Sequence, residues 1–137
     1  MELVVAIGVI STAGVTLVST LSYLSGAGGE HILQAQAQSV ADAYLNEIVS
    51  KAFADPNGVD GEGSRAQFDD VDDYTGYDAP VASDEFGNVT GNFQVRVFLT
   101  AGTLGAIPAN HVWRVDVRVD YGLDDFVTST GYRVLSP

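Results

Sequence analysis

The apolar residues follow three successive spacings along this chain, and each spacing predicts a different element. From Leu3 to Leu24 the chain reads LVVAIGVISTAGVTLVSTLSYL, 22 residues without a charge. Apolar side chains surround this run, so it does not suit the outer helix of a small domain. About 20 residues at 1.5 Å each are what a helix needs to cross a bilayer. Ser11, Thr12, Thr16, Ser19, Thr20 and Ser22 interrupt the run, and Gly8 and Gly14 open its backbone. Small and hydroxyl residues of this kind suit close packing of helix on helix. Glu2 stands directly in front as the only charge before Glu30, and an acid at the mouth of an apolar helix needs a partner. Gly26, Gly28 and Gly29 follow within four residues. Each costs a helix roughly 1 kcal/mol relative to alanine. The segment reads as a flexible break between two helical halves, or as a plain turn between two helices.

The second spacing runs from Glu30 to Phe53. Leu33, Ala37, Val40, Ala41, Tyr44, Ile48 and Ala52 recur mostly at three- and four-residue steps, the stripe of an amphipathic helix. Gln34, Gln36, Gln38, Asp42, Asn46 and Lys51 fall mostly off it. Asp55-Pro56-Asn57-Gly58 is expected to stop the helix, because a residue before proline avoids helical angles. If the two halves were coaxial they would span about 75–80 Å.

The third spacing is alternation. FQVRVFLT from Phe93, HVWRVDVRVDY from His111 and FVTSTGYRVL from Phe126 each read as a half-buried strand. Trp113, Val115, Val117, Val119 and Tyr121 face one way, and Arg114, Asp116, Arg118 and Asp120 the other. Gly131 suggests a bulge. The expected fold is α+β: a helix whose apolar stripe covers a small antiparallel sheet. The parts are an anchor with its glycine segment at 1–29 and a head at 30–137. The head divides into a helix at 30–54, an acidic loop at 55–91 and a sheet at 92–136.

The loop is rich in glycine, aspartate, asparagine and proline, which set turn geometry. Phe68, Val71, Tyr74, Tyr77 and Phe86 are spaced among its acids and are expected to pin it as an ordered segment. A loop of about 30 residues inside a compact domain is more often functional than not.

Composition narrows the function. The chain has 137 residues, formal net charge −12 and no cysteine. That charge argues against nucleic acid and against an anionic membrane surface. The lack of cysteine excludes a disulfide scaffold or a thiolate metal site. No basic residue precedes Lys51, so the apolar run lacks the positive region of a signal peptide and reads as retained.

The order of apolar helix, amphipathic helix, loop and antiparallel sheet resembles a type IV pilin or pseudopilin. Met1-Glu2-Leu3-Val4-Val5-Ala6-Ile7 is similar to the pilin signature from its glutamate onward. Ala41 to Ile48, Phe53 to Gly58, Ser64-Arg65-Ala66, Phe68 to Tyr74 and Gly131-Tyr132-Arg133 together resemble minor pilins of the mannose-sensitive haemagglutinin (MSHA) type. The resemblance covers most of the chain. It implies processing by a prepilin peptidase, residence in the inner membrane as a single-pass protein, and later packing of the N-terminal helix into an extracellular pilus filament. The implied partners are other pilin subunits. Glu2 is then an assembly residue whose partner is the N-terminal amine of a neighbouring subunit. A type II secretion pseudopilin and a membrane-anchored binding domain that never polymerises remain open as alternatives.

No catalytic constellation is legible, and an enzyme is the least expected class. His31 and His111 are isolated from any paired motif. There is no nucleophile elbow or phosphate-binding glycine loop. Asp55, Asn57, Asp60 and Glu62 place four oxygen-bearing side chains within eight residues, beside Gly58 and Gly61. Calcium takes six to eight oxygens and favours such loops, although the spacing departs from the EF-hand. No other cofactor is expected. Asp69, Asp70, Asp72 and Asp73 form a second acidic group, read first as a solvated loop.

Overall fold

The computed structural model describes residues 19, 20, 29–56, 58 and 62–135. Glu2, Asn57, Asp60 and most of the 3–24 run lie outside them, as does the glycine segment before Gly29. The chain divides into two units, Met1–Leu33 and Gln34–Pro137. In the first, Ser19, Thr20 and residues 29–33 are helical. Among the described residues no helix is long and apolar enough to cross a membrane.

Residues 29–50 form the helix α1. Its buried positions are Ala37, Ala41, Tyr44 and Ile48, the three- and four-residue steps of the stripe. Leu33 begins that stripe in sequence but is exposed. The helix ends at Ser50, earlier than expected. Tertiary pairing ends it, ahead of the proline: Ala52 leaves the helix to form a parallel bridge with Asp70. The Ala52 N–H donates to Asp69 O, and the Val71 N–H to Ala52 O, each at 3.1 Å.

Two sheets follow. The larger has the order β1-β4-β5-β6, and the smaller pairs β2 with β3. These are β1 (Asp78–Ala79), β2 (Ala82–Ser83), β3 (Val89–Gly91), β4 (Gln94–Ala101), β5 (Val112–Asp120) and β6 (Phe126–Val134). All pairs are antiparallel. The expected segment at 55–91 is therefore richer in structure than a loop. Among the described residues it contributes three short strands and two 3-10 turns, at Arg65–Gln67 and Asp72–Tyr74.

The alternation in the sequence becomes two faces. Val95, Val97, Val115, Val117, Val119 and Val127 join Ala37, Ala41, Tyr44 and Ile48 in one hydrophobic cluster. Arg96, Arg114, Asp116, Arg118 and Asp120 occupy the opposite face. There Asp120 accepts from Arg96 Nη2 and Arg118 Nη2, both at 2.7 Å.

Gly131 is not a bulge. β5 and β6 pair without a break from Val112↔Val134 to Asp120↔Phe126. A Cβ there would lie 3.0 Å from Leu45 Cδ1, so Leu45 would have to give way: α1 crosses β6 closely. Polar contacts reinforce the crossing: Gln38 Nε2 donates to Ser129 Oγ at 2.8 Å, and the Ser129 hydroxyl donates to Asp42.

Candidate functional site

The 55–91 segment is fastened to α1 by one buried ion pair. Tyr44 and Ile48 both face the core, and Glu47 lies at the border of that stripe, half-buried. Arg65, on the first 3-10 turn, reaches it in a fork. Nε donates to Glu47 Oε1 at 2.8 Å, and Nη2 donates to Oε2. Arg65 Nη1 donates to Ser83 O, and its guanidinium carbon stands 3.8 Å from the centre of the Tyr44 ring. Only 9% of the Arg65 side chain and 18% of the Glu47 side chain are exposed. The planar fork of arginine satisfies both carboxylate oxygens and stacks on an aromatic face, which lysine does not match.

Tyrosines complete the clamp. The Tyr74 hydroxyl donates to Glu47 Oε1 at 2.6 Å. The Tyr44 hydroxyl donates to Ser83 O at 2.9 Å and accepts from Ser83 N–H at 3.1 Å. Phe68 packs edge-on against Tyr74, with centroids 4.9 Å apart. Of the five apolar anchors expected in this segment, Val71 and Tyr74 are buried and Phe68 and Tyr77 are packed against the core. Phe86 is 78% exposed and anchors nothing.

Burial disfavours the Glu47 charge, but hydrogen bonds from Arg65 and Tyr74 and the Arg65 charge outweigh it. The carboxyl is held below its ordinary 4.5. Burial also works against the Arg65 cation, and Glu47 reverses this, raising Arg65 above its usual range. Tyr74 is pushed up first by burial and then by Glu47. The clamp is a closed set of matched charges whose protons are fixed, and that suits fastening better than acid–base work.

Elsewhere the same segment gathers acids. Carboxylate oxygens of Asp55, Asp69 and Asp70 lie within 4.8 Å of one another, and so do those of Glu62, Asp69 and Asp73. Asp69 belongs to both groups. Asp73 Oδ2 accepts from the N–H groups of Asp69 and Asp70 at 2.9 and 3.2 Å, and Asp70 Oδ1 accepts from the Asp73 N–H at 3.1 Å. Asp55 Oδ1 accepts from the Gly58 N–H at 2.7 Å. Gly58 has φ +78°, a turn that favours glycine.

Crowding and burial shift these carboxyls from their ordinary values. A hydrogen bond with Asp73 is the main cause raising Glu62. Burial raises Asp73, but the bond from Glu62 and the N–H groups of Asp69 and Asp70 overcome it, and Asp73 is lowered. The two carboxyls are thus driven apart, Glu62 upward and Asp73 downward. Burial is also the main cause raising Asp70.

The two acidic groups expected from the sequence are therefore one place. Asp55 and Glu62, read as calcium donors, converge on Asp69, Asp70 and Asp73. Asp72 is exposed and instead accepts from the Thr75 hydroxyl at 2.9 Å. Asn57 and Asp60 lie outside the described residues. A set of carboxylate oxygens of this kind suits a hard cation such as calcium. Neither histidine joins either group: His31 is exposed on α1, and the His111 carbonyl accepts from the Leu135 N–H. Sequence reasoning missed Glu47 and the role of Arg65. The available signal was a carboxylate on the edge of the helix stripe and a lone arginine amid acids.

No protein-family model, no curated protein and no solved structure matches this chain.

Proposed function

We propose that this chain is a structural, minor-pilin-like subunit of a type IV filament of the MSHA type. It is held in the inner membrane by its N-terminal helix and then assembled through that helix into the fibre. The observation that carries the reading is α1 clamped to an antiparallel sheet and an acidic side segment, downstream of a 22-residue uncharged run. Helix, side segment and sheet form one head: Arg65 joins Glu47 on the helix to Ser83 in the segment, and the helix stripe packs on the valines of the larger sheet. A head of this kind passes load on its surface into the helix that bears it. The role is structural rather than catalytic.

Glu2, outside the described residues, is assigned to assembly. An acid left alone in lipid or in a fibre core is costly. A pair with a neighbouring subunit's N-terminal amine acts as a register check more than as a stabilising contact. The test is fractionation of cells carrying the wild type or Glu2→Ala. The reading expects wild-type chain in sheared surface filaments and a lower share of Glu2→Ala there, with both chains folded and membrane-inserted. Equal incorporation of both would remove the role of Glu2. Wild-type chain confined to membranes as a monomer would favour an anchored binding domain. Wild-type chain held in a cell-envelope secretion complex would favour a pseudopilin.

A further inference from the structure

The two edges of the larger sheet differ. At one edge β1 is only two residues long, and Pro80 follows it directly. Short edge strands and proline are ordinary protections against pairing with another chain. At the other edge stands β6, nine residues long with a regular register. It has no proline, no acid and no break, and its single charge is Arg133, tied back through Nε to Lys51 O at 3.0 Å. Among the described residues no strand covers it.

The direction of its free backbone groups follows from its two ends. The Leu135 N–H donates to His111 O, and the Tyr121 N–H donates to Asp125 O. Both pairs fit the β5–β6 register, so the odd-numbered residues of β6 bond to β5. The N–H and C=O groups of Phe126, Thr128, Thr130, Tyr132 and Val134 therefore point away from the sheet. The side chains on this row are uncharged. Phe126 is 48% and Tyr132 is 44% exposed.

We infer that this edge pairs with β6 of a second copy of the chain, antiparallel and centred on Thr130. In that register the outward backbone groups of both copies bond to each other. Thr130 meets Thr130, Thr128 meets Tyr132, and Phe126 meets Val134. On the inner face Ser129 meets Gly131, which has no side chain to interfere. The strand is thus complementary to itself. Two chains of net charge −12 repel over most of their surfaces. β6 itself carries no acid, and the acids beside its centre, Asp116 and Asp42, are each held by a β6 hydroxyl, those of Thr130 and Ser129. Its two Arg133 residues would stand six positions apart, about 20 Å at 3.4 Å per residue, beyond the screening length of about 8–10 Å. The contact is isologous, uses up the edge on both copies and stops at two. It rests on the sheet alone and does not depend on the filament reading.

The lack of cysteine makes a covalent trap clean. In a hydrogen-bonded antiparallel pair, facing Cα atoms lie about 5.5 Å apart, within disulfide reach. The full chain in detergent is oxidised as Thr130→Cys and as Thr100→Cys, an exposed position on β4 at the opposite side of the sheet. Thr130→Cys is expected to give at least fivefold more disulfide-linked homodimer. Adding Thr128→Pro removes an N–H that the sheet itself does not use, and adding Thr128→Lys places a charge in the seam. Each should lower the Thr130→Cys yield at least fivefold, while emission from the lone Trp113 reports an intact fold. Equal yields at positions 130 and 100 would overturn the inference. So would a Thr130→Cys yield that neither second substitution lowers in a folded chain, or a crosslink to a different protein in place of the homodimer.

Discussion

One segment of this chain handles charge in two opposite ways. On one side Glu47 and Arg65 are largely buried and paired in a fork, with Tyr74 adding a third hydrogen bond to the carboxylate. On the other side Asp55, Glu62, Asp69, Asp70 and Asp73 converge, and backbone N–H groups bonded to Asp73 and Asp70 offset part of their repulsion. The first arrangement is complete, so any change to it is a loss. The second is strained by like charge, so a proton or a cation relieves it. The difference separates a fastening from a place that responds to its surroundings.

Arg65→Ala attacks the fastening directly. It leaves Glu47 buried without its cation and should cost roughly 3–5 kcal/mol. Denaturant unfolding of the detergent-held chain, followed by the lone Trp113, measures it. A loss below 1 kcal/mol would mean that the segment is held by its aromatic anchors alone. Ile48→Ala, one position from Glu47 and fully buried, supplies the apolar yardstick. It should cost roughly 2–5 kcal/mol through lost transfer energy and a cavity in the helix–sheet core. An unchanged unfolding midpoint would remove the packing of α1 on β4 and β5.

Acid sharpens the contrast, because Glu62 and Asp70 respond with the sign opposite to Glu47, while Asp73 is lowered as Glu47 is. Glu47 is lowered in the folded chain. Its contribution is fully present above the ordinary value of 4.5 and is lost as pH falls through the lower folded value. Glu62 and Asp70 are raised. Their contributions are present in acid and are lost as pH rises through their folded values. Glu47→Gln should therefore flatten the fall of stability below pH 4.5, whereas Asp70→Asn should leave that fall in place. Stability curves against pH that lose the fall in both variants, or in neither, would contradict the assignment.

The smallest effect is expected at Asp69. Without added cation, Asp69→Asn should change stability by less than about 1 kcal/mol, in the range of partly exposed charge pairs. Millimolar calcium should raise the melting temperature of the wild type and leave that of Asp69→Asn unmoved. A wild type indifferent to calcium would leave protons as the only relief for the cluster.

The helix stripe and the strands were legible because their periods are local. Ala37, Ala41, Tyr44 and Ile48 state the helix, and the valines of β5 state the sheet. What escaped was set by distance along the chain. The helix ends at Ser50 because Ala52 pairs with Asp70, which no local pattern announces. Gly131 carries the same signal whether it marks a bulge or admits Leu45. The clamp joins residues 18 apart, and a charged residue beside a stripe looks like any solvated one until its partner is found. The acidic site was half legible. Both acidic groups were recognised, but nothing in their spacing said that the turn at Gly58 and the bridge at Ala52 bring Asp55 and Glu62 to Asp69.

Cryo-electron microscopy of sheared surface fibres, labelled for this subunit, tests the filament role most directly. The expected result is a fibre in which the subunit's head sits on the surface, with Arg65 in contact with Glu47, and its N-terminal helix lies in the core. Fibres that never carry the label, from cells whose membranes retain the whole of the chain, would contradict it.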